Sequence, residues 1–189
     1  MKTLRWTSRD LDLFPEENAK RYEIIDGELY VSKQPHYHHQ LVCAKLLMFL
    51  NIWSLQTEAG EATGAPGLIF ADDEDVAPDV VWASKERLMA ALQVDGKLHI
   101  SPELVVEVLS PGSVNANRDR ELKRNLYARR GAEEYWIVDW QKRQLEIYRR
   151  KGATLEFSGI LNERDVLQTP LLPGFRCQVG QLFTTVYRQ

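Results

Sequence analysis

Apolar and polar positions alternate over Tyr22–Ile25 and again over Glu28–Val31, on either side of Asp26-Gly27. Asp-Gly between two β-prone runs is the strongest short-range hairpin signal. With a two-residue turn, Tyr22, Ile24, Leu29 and Val31 share one face, and Glu23, Ile25, Glu28 and Tyr30 share the other. Upstream, Thr7-Ser8-Arg9-Asp10 precedes Leu11, Leu13 and Phe14, which predicts a short capped helix stopping around Pro15. Downstream of Pro35, a helix from about His39 to Leu55 is apolar over most of its circumference. Such a helix packs on more than one side or forms a subunit contact.

The middle of the chain changes period. Gly60 to Gly67 reads as loop, Leu68-Ile69-Phe70 as a strand, and Asp72-Asp73-Glu74-Asp75 as a solvated acidic turn. Val76 to Trp82 reads as one strand, with Pro78 placing it at an edge or near a bulge. Ser84 caps a helix over Lys85 to Leu92, and Asp95-Gly96 makes a turn. Leu104 to Leu109 is nearly all apolar, the pattern of a strand buried on both faces. Ser110-Pro111-Gly112-Ser113 ends it, and Asn117 caps a helix running to Arg130, with Gly131 at its C-terminus. Tyr135 to Asp139 and Leu145 to Tyr148 form a hairpin, and the remainder is a β-rich tail closing on a short docked segment. This order predicts an α/β sandwich around a mixed sheet, as a single domain over residues 1–189.

Composition narrows the function classes. At 189 residues with 44% hydrophobic content, one core closes without disulfides or structural metal. The net charge of -3 provides no global positive field, so any contact with nucleic acid requires a local basic patch. Cys43 and Cys177 lack the spacing of a zinc pair and read as buried thiols. The most apolar stretch, Leu41 to Trp53, falls short of the ~20 residues of a membrane span. The charged N-terminus has no signal-peptide core, so the expected location is cytoplasmic.

Two carboxylates stand in apolar surroundings, Asp79 after Pro78 and Glu107 inside Leu104 to Leu109. A carboxylate buried there must meet a cation, a donor or a metal ion. Phosphodiester hydrolysis needs such a pair to hold a divalent ion. A turn cap at Asp79 and a core ion pair at Glu107 fit the spacing as well, and spacing does not decide between the two. Asp119, Lys123 and Tyr127 recur at i, i+4 and i+8 on one helical face, which suits either a lysine brought to the carboxylates or a surface ion pair. Glu23 could reach the same place from the hairpin, or be exposed or paired with Arg21. His39 opens the apolar helix, where a site role competes with capping or core packing. His36 and His38 lie in a loop without zinc spacing. Arg118, Arg120, Lys123, Arg124, Arg129 and Arg130 make this helix the best phosphate-contacting candidate, although such faces are commonly only solvated.

Taken together, Ala77-Pro78-Asp79-Val80-Val81, Glu107-Val108-Leu109-Ser110-Pro111, Asp119-x-x-x-Lys123-x-x-x-Tyr127 and Gly131 to Asp139 resemble the Uma-two family. This is a large bacterial group assigned as endonucleases in the PD-(D/E)xK superfamily. The likeness extends to Tyr22 to Leu29, to the helix start at His39-Gln40-Leu41-Val42, and to Leu172-Pro173-Gly174-Phe175. It implies a restriction-endonuclease-like fold, a central mixed sheet flanked by helices with an N-terminal hairpin and a β-rich C-terminal extension. It also implies Mg2+-dependent (or Mn2+-dependent) hydrolysis of DNA, with Asp79 and Glu107 as metal ligands and Lys123 as the third catalytic residue. Glu23, His39, Asp119 and Tyr127 would support them, and Arg118, Arg120 and Arg124 would contact nucleic acid. The superfamily lysine ordinarily lies two residues after the acid, where this chain has Leu109, so Lys123 stands as a migrated equivalent. A homodimer would supply the two sites that double-strand cleavage needs. The alternative is a non-catalytic nucleic-acid- or protein-binding module that retains the fold.

Overall fold

The Asp26-Gly27 turn organises the first sheet. In the computed structural model, which describes residues 4–14, 20–110 and 118–185 but not the side chains of 118 and 119, β1 (Lys20–Ile25) pairs antiparallel with β2 (Glu28–Lys33). Ile25 stands opposite Glu28 and Tyr22 opposite Val31, the predicted register. Asp26 and Gly27 have φ of 53° and 76°, the positive pair that a two-residue type I′ turn requires. β1 also pairs with β5 (Glu74–Val76), which pairs with β4 (Leu68–Ala71), giving a four-stranded sheet in the order β2-β1-β5-β4.

A larger sheet forms the centre. It comprises β3 (Gly60–Gly64), β6 (Val80–Ser84), β7 (Leu104–Val108), β8 (Glu134–Asp139), β9 (Gln144–Lys151) and β10 (Thr154–Asn162), in the order β10-β9-β8-β7-β6-β3. Only β7 and β8 run parallel in it, and a parallel step needs a long crossover. The helical segment 118–130 provides that crossover. One face of the sheet packs against α2 (Tyr37–Thr57), the β11 (Val166–Thr169) and β12 (Leu172–Gln178) hairpin, and α5 (Val179–Phe183). The other face, with Val105, Tyr135 and Ile137, packs against Leu126 and Tyr127 of α4 (Arg124–Arg130), Ala91 of α3 (Lys85–Ala91), and Ile25 and Val76 of the smaller sheet. β7 is therefore buried on both faces, as its apolar run predicts. The short α1 (Ser8–Leu11) carries a capping box between Thr7 and Asp10; its predicted end at Pro15 lies outside the described residues.

Four expectations change. Gly60 to Gly64 is the edge strand β3 rather than loop; a Cβ at Gly60 would lie 2.1 Å from the Ala83 carbonyl oxygen, so glycine here marks a close backbone approach. Val76 to Trp82 is not one strand: the chain leaves the smaller sheet after Val76 and enters the larger at Val80, because Pro78 has no N–H to continue a ladder. The acidic run is only half a turn, since Glu74 and Asp75 are buried in β5. The helix after β7 starts as a π-helix over Arg118–Lys123 before becoming α-helical, and its proposed cap Asn117 and the Pro111-Gly112-Ser113 break lie outside the described residues. Cys43 and Cys177 are buried free thiols. No helix among the described residues is long and apolar enough to cross a membrane.

Asp75 is loosely paired in this frame: among the described residues its Oδ2 has no hydrogen-bond partner, and Lys97 Nζ forms an ion pair with it at 3.7 Å. Burial holds its carboxyl above the ordinary carboxylate range despite Lys97. A folded state that holds the proton more tightly than the unfolded chain loses stability as pH rises out of the acid range. Asp75→Asn should therefore raise the unfolding free energy by about 1 kcal/mol near neutral pH. The gain should vanish below the ordinary aspartate value of about 3.9. Urea melts at both pH values check this, and an equal shift at each would contradict it.

Candidate active site

The break at Pro78 leaves Asp79 where the two sheets meet. Pairing of Val80 with Val106 and of Val81 with Val105 carries Asp79 alongside Glu107 across the β6–β7 ladder. Asp79 Oδ2 accepts from the Val108 N–H at 2.8 Å and sits 3.1 Å from His39 Nε2, while Oδ1 accepts from Arg21 Nη1 at 3.0 Å. Burial alone would raise this carboxyl, but His39, Arg21 and the Val108 amide outweigh it and bring it to about 2. Asp79 is thus a carboxylate at any ordinary pH.

His39 belongs to the first turn of α2, which starts at Tyr37 and takes its cap from His36 Nδ1. His38 therefore lies in the helix and not in the predicted loop. Cys43, one turn on, places Sγ 3.7 Å from His39 Nδ1. Burial, together with Asp79 and Glu107, pushes the Cys43 thiol up, so it stays protonated beside the ring. Asp79, as a carboxylate, only accepts, so His39 Nε2 is the donor between them.

Glu107 is served from the opposite side. Its Oε1 accepts from Lys123 Nζ at 2.9 Å and from the Tyr127 hydroxyl at 3.0 Å. Lys123 Nζ also donates to Glu23 Oε1 at 2.9 Å, and that oxygen accepts from the Ala77 N–H at 3.2 Å. Lys123 is 1% exposed, an ammonium that such a site tolerates only between carboxylates. Burial and the Glu107 charge hold the Tyr127 phenol well above its usual value, so Tyr127 is a donor. Lys123 and Tyr127 face the sheet together at the predicted i, i+4 spacing. The side chain of Asp119 is outside the described residues, and the π-helical stretch changes the phase on which its place in that row was reckoned.

One cleft of about 230 Å³ is lined by Glu23, His39, Asp79, Glu107 and Lys123 together with Arg21, Lys20, Lys33 and Ser110. Arg21 is the member that the sequence reading missed. It stands two residues before Glu23, so the same alternation that put Glu23 on one face of the hairpin also applies to it. Lys20 and Lys33 stand directly opposite each other across β1–β2, where like charges repel.

The basic helix is a different matter. Arg120 makes a two-pronged pair with Glu146, Arg129 and Arg130 share Glu74, and Arg124 lies 5.3 Å over the Tyr148 ring. These side chains are engaged within the chain, and the open positive charge lies on the hairpin instead. The side chain of Arg118 is outside the described residues.

The donors at the cleft fit a hard divalent ion, since two carboxylates from adjacent strands supply the oxygen ligands that Mg2+ or Mn2+ prefers. A second set, His39, Cys43 and Asp79, has its ligand atoms within 4.8 Å of one another and suits a softer ion. Its thiol must first lose a proton that burial retains.

A crystal structure of "a putative nuclease belonging to DUF820" from Anabaena variabilis ATCC 29413 superposes with a TM-score of 0.74 at 17% identity, covering 94% of this chain and 97% of that one. At that identity the likeness is one of fold. A search of curated proteins finds no match. The family model described as "Putative restriction endonuclease" matches residues 8–180. Spanning the hairpin, both acidic strands and the Lys123 helix, that match makes this chain a member of the Uma2 family of restriction-endonuclease-like proteins.

Proposed function

We propose that the protein is a metal-dependent endodeoxyribonuclease that hydrolyses phosphodiester bonds in DNA at the Asp79–Glu107–Lys123 cleft. The observation that carries this is the convergence of two strand carboxylates and a helix lysine on one cleft. Asp79 and Glu107 would hold Mg2+ or Mn2+, which when bound polarises the phosphate and lowers the pKa of a water ligand. The protein's own groups do the rest. Tyr127 and the Val108 amide orient the two carboxylates. Lys123 orients the attacking water and offsets phosphate charge, while Glu23 holds the ammonium in place. His39, fixed by Cys43, steadies Asp79. Arg21, Lys20 and Lys33 at the cleft rim receive the strand's phosphates.

A non-catalytic binding module is the second reading. Its support is that Arg21 and Lys123 already neutralise the carboxylates, as a structural ion network would. Purified protein with Mn2+ or Mg2+ should nick supercoiled DNA, and Asp79→Asn or Glu107→Gln should lower the rate by at least roughly 100-fold. Calorimetric uptake of Mn2+ should disappear in Glu107→Gln. Equal background cutting by wild type and Asp79→Asn would sink the nuclease reading.

Lys123 separates stability from chemistry. Lys123→Met leaves Glu23 and Glu107 facing each other without a cation, and should cost about 3–5 kcal/mol of unfolding free energy. Adding Glu23→Gln should restore part of that stability but none of the cleavage. Full recovery of cleavage would remove Lys123 from the mechanism.

We also propose a homodimer through α2. Met48, Ile52 and Leu55 are exposed at i, i+4 and i+7, a solvent-side apolar stripe opposite the buried Val42, Leu46 and Leu50. Sedimentation should give a dimer that Ile52→Glu converts to monomer. A wild type that stays monomeric at high concentration would refute this.

A further inference from the structure

Beside the cleft stands an aromatic cluster that the chemistry above does not use. The His36 ring lies 4.9 Å from the Trp140 ring at 14°, in parallel stacking, and His38 lies 5.3 Å from Trp140 and 5.4 Å from His36. His36 is exposed, while His38 and Trp140 are half-buried. The cluster is tied to the candidate site from two directions. His36 directly follows Pro35, which lines the cleft. Trp140 Nε1 donates to the Leu109 carbonyl at 3.0 Å, between the cleft residues Val108 and Ser110. On its far side, a groove of about 750 Å³ is lined by His38, Leu41, Trp140, Arg143, Phe183 and Thr184. That volume is in the range that accepts a flat heteroaromatic group; Arg143 in its lining is paired with Glu163 and lies over the Phe183 ring.

Flat rings at the rim of a cleft whose own rim carries Lys20, Arg21 and Lys33 have one natural complement in a nucleic acid. A phosphate seated on the basic rim puts the base of a neighbouring nucleotide within reach of the rings. In a duplex the π-faces are covered by the adjacent pairs, whereas an unpaired base offers its face freely. We infer that the His36–His38–Trp140 cluster is a stacking platform for an unpaired nucleobase flanking the scissile phosphate, so that the protein prefers single-stranded or locally opened DNA to a closed duplex. This rests on the nuclease reading for the position of the phosphate, but binding can be measured without cleavage.

The test is fluorescence anisotropy in EDTA at low salt, where no metal-dependent hydrolysis occurs. The probes are a labelled oligothymidylate of about 12 nucleotides, the same strand with abasic sites, and a duplex of equal length. Wild type should bind the oligothymidylate more tightly than either of the others. Trp140→Ala should weaken that binding by roughly 5- to 150-fold, the worth of one stacked base, and leave abasic binding unchanged. Trp140→Phe, which keeps a ring but loses the bond to Leu109, should retain most of the affinity, and His38→Ala should lose part of it with the Trp140 tether intact. Equal binding of normal and abasic strands by wild type overturns the proposal. So does a Trp140→Phe variant as weak as Trp140→Ala, which would make the Leu109 bond and not the ring responsible. Base-dependent binding without any cutting in Mn2+ would keep the platform and defeat the nuclease reading.

Discussion

The ammonium of Lys123, buried between Glu23 and Glu107, ties together three parts of the chain that are distant in sequence. Glu23 comes from the hairpin of the smaller sheet, Glu107 from the most buried strand of the larger one, and Lys123 from the crossover between β7 and β8. Each carboxylate alone would be costly to bury, and the lysine alone more so. The three are tolerable only together, so the packing of the two sheets and the helix is coupled to the charge balance of the cleft. That balance is negative in sum when Asp79 is included, and Arg21 offsets part of it from the same hairpin. The cleft thus gathers three carboxylates and meets them with one buried cation, Lys123, and one partly exposed, Arg21.

The interruption at Pro78 is the second constraint. A continuous strand from Val76 to Trp82 would have placed Asp79 in the middle of a ladder, its side chain committed to one sheet face. Because Pro78 cannot donate, the chain changes sheets there, and Asp79 reaches the end of β6 with both oxygens turned to donors from α2, β1 and β7. The residue pair Pro-Asp is therefore one structural device: the proline ends one sheet and the aspartate uses the gap.

What the sequence made legible was what depends on local period. Glu107 stands out as the one charge in an apolar strand, Lys123 and Tyr127 share a helical face by spacing, and the Asp26-Gly27 turn fixes the face of Glu23. What it hid depends on partners distant in sequence. Arg120 meets Glu146, and Arg129 and Arg130 meet Glu74; none of these pairings has a local signal, so the helix reads as uniformly open although these three arginines are paired inside the chain. Glu74 and Asp75 look solvated next to Asp72 and Asp73, and only the sheet pairing of β5 with β1 and β4 buries them. β3 is hidden by glycines, of which Gly60 lets the Ala83 backbone approach. Arg21 is concealed for a different reason: in sequence it reads as a partner for Glu23, while the pleat directs it to Asp79.

Moving the positive charge from the crossover helix to the hairpin alters how the site can meet a substrate. With a net charge of -3, the molecule has no long-range attraction for a polyanion, so the proposed substrate strand would have to be captured close to the cleft. Lys20 and Lys33 face each other in β1 and β2 at a cost in sheet stability, and no packing need is met by having both. An anion between them removes the repulsion. The same geometry that sets Arg21 on Asp79 also leaves it 31% exposed at the rim, able to answer a carboxylate from inside or a phosphate from outside. The hairpin thus both covers the ion network and forms its contact with solvent.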